Sequence, residues 1–462
     1  MAKNKTLLLF PDGVGIRNYL YTDIFKNAST QLTLFHAFDE ATVNSIKKQT
    51  TINEFLRIPK YKESLQEKWL RELICLSRLQ YNAKKVDNLS ILTNWNPSAT
   101  NFKNKVFYKT IALASKFIKN YSQILNLERQ YQKSIRKTSF YKEITALLTE
   151  VQPTQIFCSH QRGIQCAPIF AAAHDLGIKT TTVIYSWDNL PKARMALQAD
   201  KYLVWSDYMK KEMNTYYPEI KEHQIIVTGT PQFECYDNPN HILPKDIFYK
   251  TYDLDPAKKI ICFSGDDVKT SPDDPQYLED LATELVKNKL ESDYQILLRR
   301  CPVDVSERFD AIRAKYPTLI KEAAPLWNFN ANSSWTTIYP LQTDVNLLVS
   351  TAYYCDIVVN VGSTMAFDFA MFKKPCVYIN YDQEKQVNPN WSVETIYQFQ
   401  HFRSMPSKEA VIWWNNKRNF FTLIEKFNRD YNTENMQNWT KIIIGDKEAA
   451  SLNISKFLFY DN

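Results

Sequence analysis

The chain reads as an α/β protein of two domains, each built on a parallel sheet, and three observations predict this. Short apolar runs alternate with helix-length amphipathic stretches, the pattern of strands joined by helical crossovers. The alternation comes in two blocks separated by a polar segment, residues 236–244, rich in proline and asparagine. Only eight glycines occur in 462 residues, and six of them (Gly13, Gly15, Gly163, Gly229, Gly265 and Gly362) directly follow predicted strands. Open parallel sheets hold ligands at that end of their strands, so the glycines suggest a cleft between two facing domains. Gly177 reads as a helix C-cap and Gly445 as a turn.

In the first block, residues 6–10 form a strand, followed by Asp12-Gly13-Val14-Gly15 and a helix-like stretch at 16–25; residues 32–35 form a second strand. From about 40 to 150 strand signals give way to long helical patterns at 65–79 and 106–127, read as a helical, basic insertion. Strand 156–158 then leads through His160-Gln161-Arg162-Gly163 into an alanine-rich helix ending at Gly177. Strands at 180–185, 202–205 and 225–227 follow, with Ser206 placed to cap the helix between the last two. The second block has strands at 260–263, 295–298, 356–361 and 376–379, with helices at 278–288, after Asp304, and at 365–372. The expected division is an N-terminal domain at 1–240, a second domain at 241–430 and a helical tail at 431–462.

Charge and cysteine content narrow the function. Lysine and arginine number 57 against 50 acids, a net charge of +7 that is too mild for a DNA-packaging protein but admits local contact with anions. The eight cysteines include no CxxC pair, and several sit in apolar runs, as buried free thiols of a reducing compartment do. The run 7–10 is too short for a signal peptide, and no stretch approaches the roughly 20 apolar residues of a membrane span, so a cytoplasmic location is expected. The insertion carries Lys103, Lys105, Lys109, Lys116, Lys119, Arg129, Lys133, Arg136, Lys137 and Lys142, with Glu128 and Glu143 as the acids among them. With Phe107, Tyr108, Phe117, Tyr121 and Tyr131 interleaved, it suits peripheral contact with an anionic membrane, or a plain solvated face. No recognition fold for nucleic acid accompanies the charge.

Several strand ends carry residues fit for chemistry. In the second block a strand ends at Gly362, and Ser363 and Thr364 open a helix; amides, hydroxyls and dipole there suit a pyrophosphate, with Asp368 one turn on for a ribose. The same residues also serve as an ordinary helix start. Arg300, after strand 295–298, suits a diphosphate or an ion pair, and Gly265 closes the domain's first strand. Asp266 and Asp267 lack the further ligands of a metal site, and none is expected. In the first block, Asp188 is a candidate general base or an Asx-turn carboxylate, with Trp187 and Asn189 beside it. His160 competes with it for that role, and Asp12 with Gly13 and Gly15 offers a third acid and a close backbone approach. Thr228-Gly229-Thr230-Pro231-Gln232-Phe233 stands at the end of the block.

Ser186-Trp187-Asp188-Asn189-Leu190, the stretch Asp200 to Ser206, and Val227 to Phe233 resemble bacterial surface-polysaccharide glycosyltransferases of the GT-B fold, a group like the UDP-glycosyltransferases and glycogen phosphorylase. Gly362-Ser363-Thr364, Phe367-Asp368-Phe369-Ala370 and Lys374-Pro375 are similar both to that group and to CDP-glycerol glycerophosphotransferases; together the likeness spans about 150–385. The resemblance implies two facing Rossmann-like domains, with acceptor on the first (Asp12, Gly13, Gly15, Trp187, Asn189) and nucleotide-sugar donor on the second (Arg300, Gly362, Ser363, Thr364, Asp368, Gly265). Asp188 stands where the glycerophosphotransferases have the histidine of His-Gly-Thr, and Cys301 replaces the histidine of their His-Pro, which favours a sugar donor. The expectation is therefore a metal-independent glycosyltransferase with no cofactor beyond its donor, UDP before other nucleotides. It would build cell-envelope polysaccharide on a polysaccharide or lipid-linked acceptor, with Asp188 or His160 as base. The alternatives are a CDP-glycerol-type polyol-phosphate transferase, a sugar-nucleotide epimerase and a non-catalytic sugar-nucleotide binding protein.

Overall fold

The computed structural model describes residues 5–460 except 53, 98–100, 196, 330–337, 431 and 446–448, with the side chains of 426–430 also outside the description. The chain divides into two compact units: Met1–Thr230 together with Ile443–Asn462, and Pro231–Ile442. The break thus falls at 230/231, and the end of the expected tail belongs to the first unit.

Unit 1 is a seven-stranded sheet of β1 (Lys5–Phe10), β2 (Gln31–His36), β3 (Glu54–Arg57), β4 (Gln155–Cys158), β5 (Lys179–Val183), β6 (Lys201–Val204) and β7 (Ile225–Val227). Every pairing is parallel, in the order β3-β2-β1-β4-β5-β6-β7. Leu7, Leu8, Leu9 and Phe10, like Ile156, Phe157 and Cys158, are fully buried, because helices cover both faces of such a sheet. The helices are α1 (Glu40–Gln49), α2 (Leu65–Lys85), α3 (Phe102–Ser115), α4 (Tyr121–Ile135), α5 (Ser139–Val151), α6 (Cys166–Asp175) and α7 (Asp207–Tyr216). The stretch expected as one helix at 106–127 is two, because Asn120 and Gln123 form a capping box that starts α4. Leu70, Leu73 and Ile74 of α2 meet Ile111 of α3 and Ile124, Leu127 and Tyr131 of α4 in one buried cluster. Residues 16–25 form short turns rather than a regular α-helix. Ser206 caps α7 as expected, accepting from the Met209 N–H.

Unit 2 holds β8 (Lys259–Ser264), β9 (Tyr294–Arg299), β10 (Ile320–Glu322), the two-stranded pair β11 (Trp327–Asn328) and β12 (Tyr339–Pro340), then β13 (Ile357–Asn360), β14 (Cys376–Ile379) and β15 (Ile412–Trp414). Its main sheet is parallel and six-stranded, in the order β10-β9-β8-β13-β14-β15. Helices α8 (Lys245–Thr251), α9 (Asp274–Lys287), α10 (Asp310–Lys315), α11 (Gln342–Tyr354), α12 (Met365–Ala370), α13 (Val393–Tyr397) and α14 (Phe420–Asp430) connect or flank the strands. Helix α15 (Glu434–Ile444) leads back towards unit 1, which α16 (Ala450–Phe459) joins. The Leu458 carbonyl accepts from Gln155 Nε2 at 2.8 Å, and the Tyr460 hydroxyl donates to the Asn27 carbonyl at 2.9 Å. No helix among the described residues is long and apolar enough to cross a membrane.

Candidate functional site

Strand order reverses direction between β1 and β4 in unit 1 and between β8 and β13 in unit 2. At such switch points the loops leaving neighbouring strands diverge and open a crevice beyond the carboxyl ends. Asp12 follows β1 and His160 follows β4, so both stand at the unit 1 switch point.

They meet. Asp12 Oδ2 lies 2.7 Å from His160 Nδ1, both residues only 8% exposed, while Asp12 Oδ1 accepts the Val14 N–H at 3.1 Å and so caps the Gly13–Gly15 turn. A carboxylate against Nδ1 favours the proton on that nitrogen, and Nε2 makes no hydrogen bond among the described residues. Gly15 makes the approach possible: a Cβ there would stand 2.6 Å from Ser159 Cβ, in the loop just before His160. Its backbone is thus closed by a neighbouring chain segment rather than bared to a ligand. Tyr185 lies edge-on to the His160 ring at 5.6 Å, and burial raises its phenol pKa, keeping it a neutral donor.

Asp188 is held differently. Its Oδ1 accepts from Ser186 Oγ at 2.7 Å and Asn189 Nδ2 at 2.8 Å, and Oδ2 is ion-paired with Lys192. Those partners occupy both carboxylate oxygens. Asn189 Oδ1 in turn accepts from Gln161 Nε2 at 2.9 Å, tying the loop after β5 to the loop after β4, and Trp187 is buried beside them. Sequence reasoning overlooked Tyr185 as a separate candidate, and also Glu212 of α7. Glu212 is buried, and burial with the nearby Asp188 charge pushes its carboxyl far above the usual range. A lone glutamate on an amphipathic helix gives no signal of burial; its place on the inner stripe with Met209 and Met213 was the available clue.

In unit 2 the loop Gly362-Ser363-Thr364 leaves β13 as expected, with Gly362 at φ +65° and the Asn360 side chain accepting the Ser363 N–H at 2.8 Å. Thr364 is exposed and Ser363 half-buried, and α12 begins directly after them. Asp368 turns inward: it is 5% exposed and accepts the Tyr236 hydroxyl at 2.6 Å, an internal tie rather than an open acceptor for a ribose. Arg300 already pairs with Glu322 and donates to the Ser306 carbonyl at 2.9 Å, while Arg299 binds Asp344 at 2.8 Å. Gly265 donates its N–H to the Arg299 carbonyl at 3.0 Å and fits under Phe309. Among the described residues no group of three histidine, cysteine, aspartate or glutamate side chains is placed to share a metal ion.

No known family profile matches the chain, and no curated protein does. Solved structures do. A putative UDP-N-acetylglucosamine 2-epimerase of Listeria monocytogenes superposes with a TM-score of 0.54 at 8% identity, over 100% of this chain and 98% of that one. MnaA of Staphylococcus aureus, solved with UDP, gives 0.51 at 10% identity over 98% and 97%. The UDP-GlcNAc 2-epimerase of Methanocaldococcus jannaschii gives 0.51 at 11% identity over 99% of both chains. These likenesses overturn the expectation of a glycosyltransferase, and of kinship with CDP-glycerol transferases: the Listeria and Methanocaldococcus neighbours are named as UDP-GlcNAc 2-epimerases. At such identities what the chain shares with them, end to end, is the fold: two α/β domains of the GT-B type on parallel sheets of seven and six strands.

Proposed function

We propose that the chain acts on a nucleotide diphosphate sugar as an epimerase, moving a proton at the sugar ring. The observation that carries this reading is the buried Asp12–His160 pair at the switch point of unit 1. Asp12 orients the imidazole and stabilises it once protonated; His160 Nε2 takes the proton from one face of the ring carbon, and inversion follows when a second donor, for which the Tyr185 hydroxyl is the candidate, delivers a proton to the opposite face. Tyr185 supplies a neutral hydroxyl beside the ring. The fold neighbours named for UDP sugars make UDP the first nucleotide to try. Ser363 and Thr364 are its proposed phosphate contacts in unit 2. In this reading Asp12, Gly13, Trp187 and Asn189 shape the substrate site, Gly15 serves only the close packing against Ser159, and no acceptor or further cofactor takes part.

The test is to incubate the protein with UDP-sugars in D2O and follow the sugar protons by NMR. Epimer formation with deuterium at the inverted carbon is expected, and His160→Gln should slow it by about 10²–10⁴-fold. Nucleotide-sugar binding without deuterium entry for any sugar sinks the epimerase reading and leaves a binding protein. Asp188→Asn is expected to cost much less than His160→Gln; an equal loss returns Asp188 to the mechanism.

We also propose a cytoplasmic protein that touches anionic membrane through α3. Its outward face carries Phe102, Val106, Leu113 and, just beyond its end, Phe117, exposed to 80%, 43%, 59% and 69%. Lys103, Lys105, Lys109, Lys116 and Lys119 flank that stripe, and no acid occurs between residues 88 and 127. Apolar stripes rimmed by lysine settle into anionic lipid surfaces. Co-sedimentation with phosphatidylglycerol vesicles, little with phosphatidylcholine, and loss of both in Leu113→Gln/Phe117→Ser are expected; equal partition of that variant removes α3 from the contact.

A further inference from the structure

Unit 1 contains a cavity of about 610 Å³, bounded by α2, α4 and residues 193–195 and 197–200 ahead of β6. That volume is ordinary for a small-molecule site, roughly 300–1,000 Å³. The chemistry assigned to His160 makes no use of it.

Two observations point to an occupant. Tyr131 of α4 lines the cavity, is only 2% exposed, and its hydroxyl has no hydrogen-bond partner among the described residues. Buried phenols are otherwise nearly always bonded, so an unpartnered one facing a cavity calls for a polar group inside it. The second observation concerns charge. Of the three arginines in the wall, Arg71 pairs with Glu63 and Glu72, and Arg194 pairs with Glu72. Arg162, exposed on the wall, makes no hydrogen bond or ion pair among the described residues, so of these three guanidinium groups it is the one left to take an anion. Glu128 and Glu219, also in the wall, are both paired with Arg78.

The rest of the lining suits a polyol. Asn96 and Gln198 present carboxamides whose side chains have no hydrogen-bond partner among the described residues. A carboxamide, like a phenol, both donates and accepts, which is the pairing a sugar hydroxyl makes. Ile74, Leu197, Ile220 and Tyr217 give the apolar surface on which a ring face rests.

We propose that this cavity is a second ligand site of unit 1, which takes a sugar bearing one anionic group, with the anion on Arg162 and a hydroxyl on Tyr131. It is independent of the epimerase reading. Calorimetric titration of the intact protein with glucuronate, galacturonate and glucose 6-phosphate, with glucose as the neutral control, tests it. At least one anionic sugar is expected to bind at least tenfold more tightly than glucose. The uronates and the phosphate tell a carboxylate from a phosphate as the anion. Arg162→Gln should weaken that binding by tenfold or more. Tyr131→Phe, which removes only the unpartnered oxygen, should weaken it about fivefold while the melting temperature of the free protein does not fall. His160→Gln should leave the binding unchanged, which separates this site from the catalytic one. Absence of binding by every anionic probe overturns the proposal, as does unaltered binding in both Arg162→Gln and Tyr131→Phe.

Discussion

A methyl group at Gly15 would overlap the Ser159 side chain, and the two segments it would push apart carry Asp12 and His160. Gly15→Ala is therefore expected to destabilise by about 1–3 kcal/mol, as overpacking does, and to lower catalysis further by lengthening the 2.7 Å contact; thermal melts and NMR rates on one preparation separate the two effects. His36 sets a pH dependence. Burial, aided by the positive charges of Arg57 and Lys47, lowers its imidazole from 6.5 to about 4, and its Nδ1 accepts the Phe38 N–H at 3.1 Å. The unfolded chain takes up a proton near pH 6.5 and the folded chain only near 4, so this stability is whole above the first value and is lost as pH falls to the second. Urea melts at pH 4.5 and 7.5 should show roughly 1–2 kcal/mol less stability at the lower value from this group, a difference that His36→Gln removes. The sequence marked Asp12 and His160 separately because each follows a strand. Their pairing across 148 positions depends on which strands are neighbours, and no local pattern encodes that. The same applies to Asp188, whose neutralising Lys192 lies one helical turn on yet gives no sign in the sequence of folding back.

Helices α2 and α4 are joined by charge as well as by their apolar cluster. Arg78 is 1% exposed, pairs with Glu128 of α4 and Glu219, and lies over the Tyr217 ring at 4.5 Å. Arg78→Met leaves two carboxylates without their cation and is expected to cost about 3–5 kcal/mol in urea melts, with much of it restored when Glu128→Gln is added. Elements with long apolar periods were readable: β1, β4, β8 and β14 lie within a residue of their expected bounds. The edge strand β3 was not, because Glu-Phe-Leu-Arg has neither an apolar run nor a run long enough to alternate, and its pairing with β2 is what makes it a strand. The single helix expected at 106–127 failed for a related reason: an apolar period continues across Asn120, while the cap that breaks it depends on one side chain.

At the level of the whole molecule, alternation of strands and helices predicted two parallel α/β domains, and that is the fold. The reaction was not readable by the same route, since a fold does not fix the chemistry that it carries. Helix α16 offers a test at this scale. Ala450, Ile454 and Leu458 are buried in unit 1, so removal of residues 450–462 is expected to lower the stability of that unit by several kcal/mol and leave unit 2 intact, read as selective loss of amide-exchange protection in β1 and β4. The placement of α16 also orders events in time. Unit 2 lies between the two pieces of unit 1 in the chain, so a ribosome finishes all of unit 2 before it supplies the helix that unit 1 needs. The half carrying Asp12 and His160 must wait, with the Gln155 end of β4 uncovered, until residues 450–459 emerge. A nascent chain stalled before residue 443 should already hold a protease-resistant unit 2 while unit 1 is still digested.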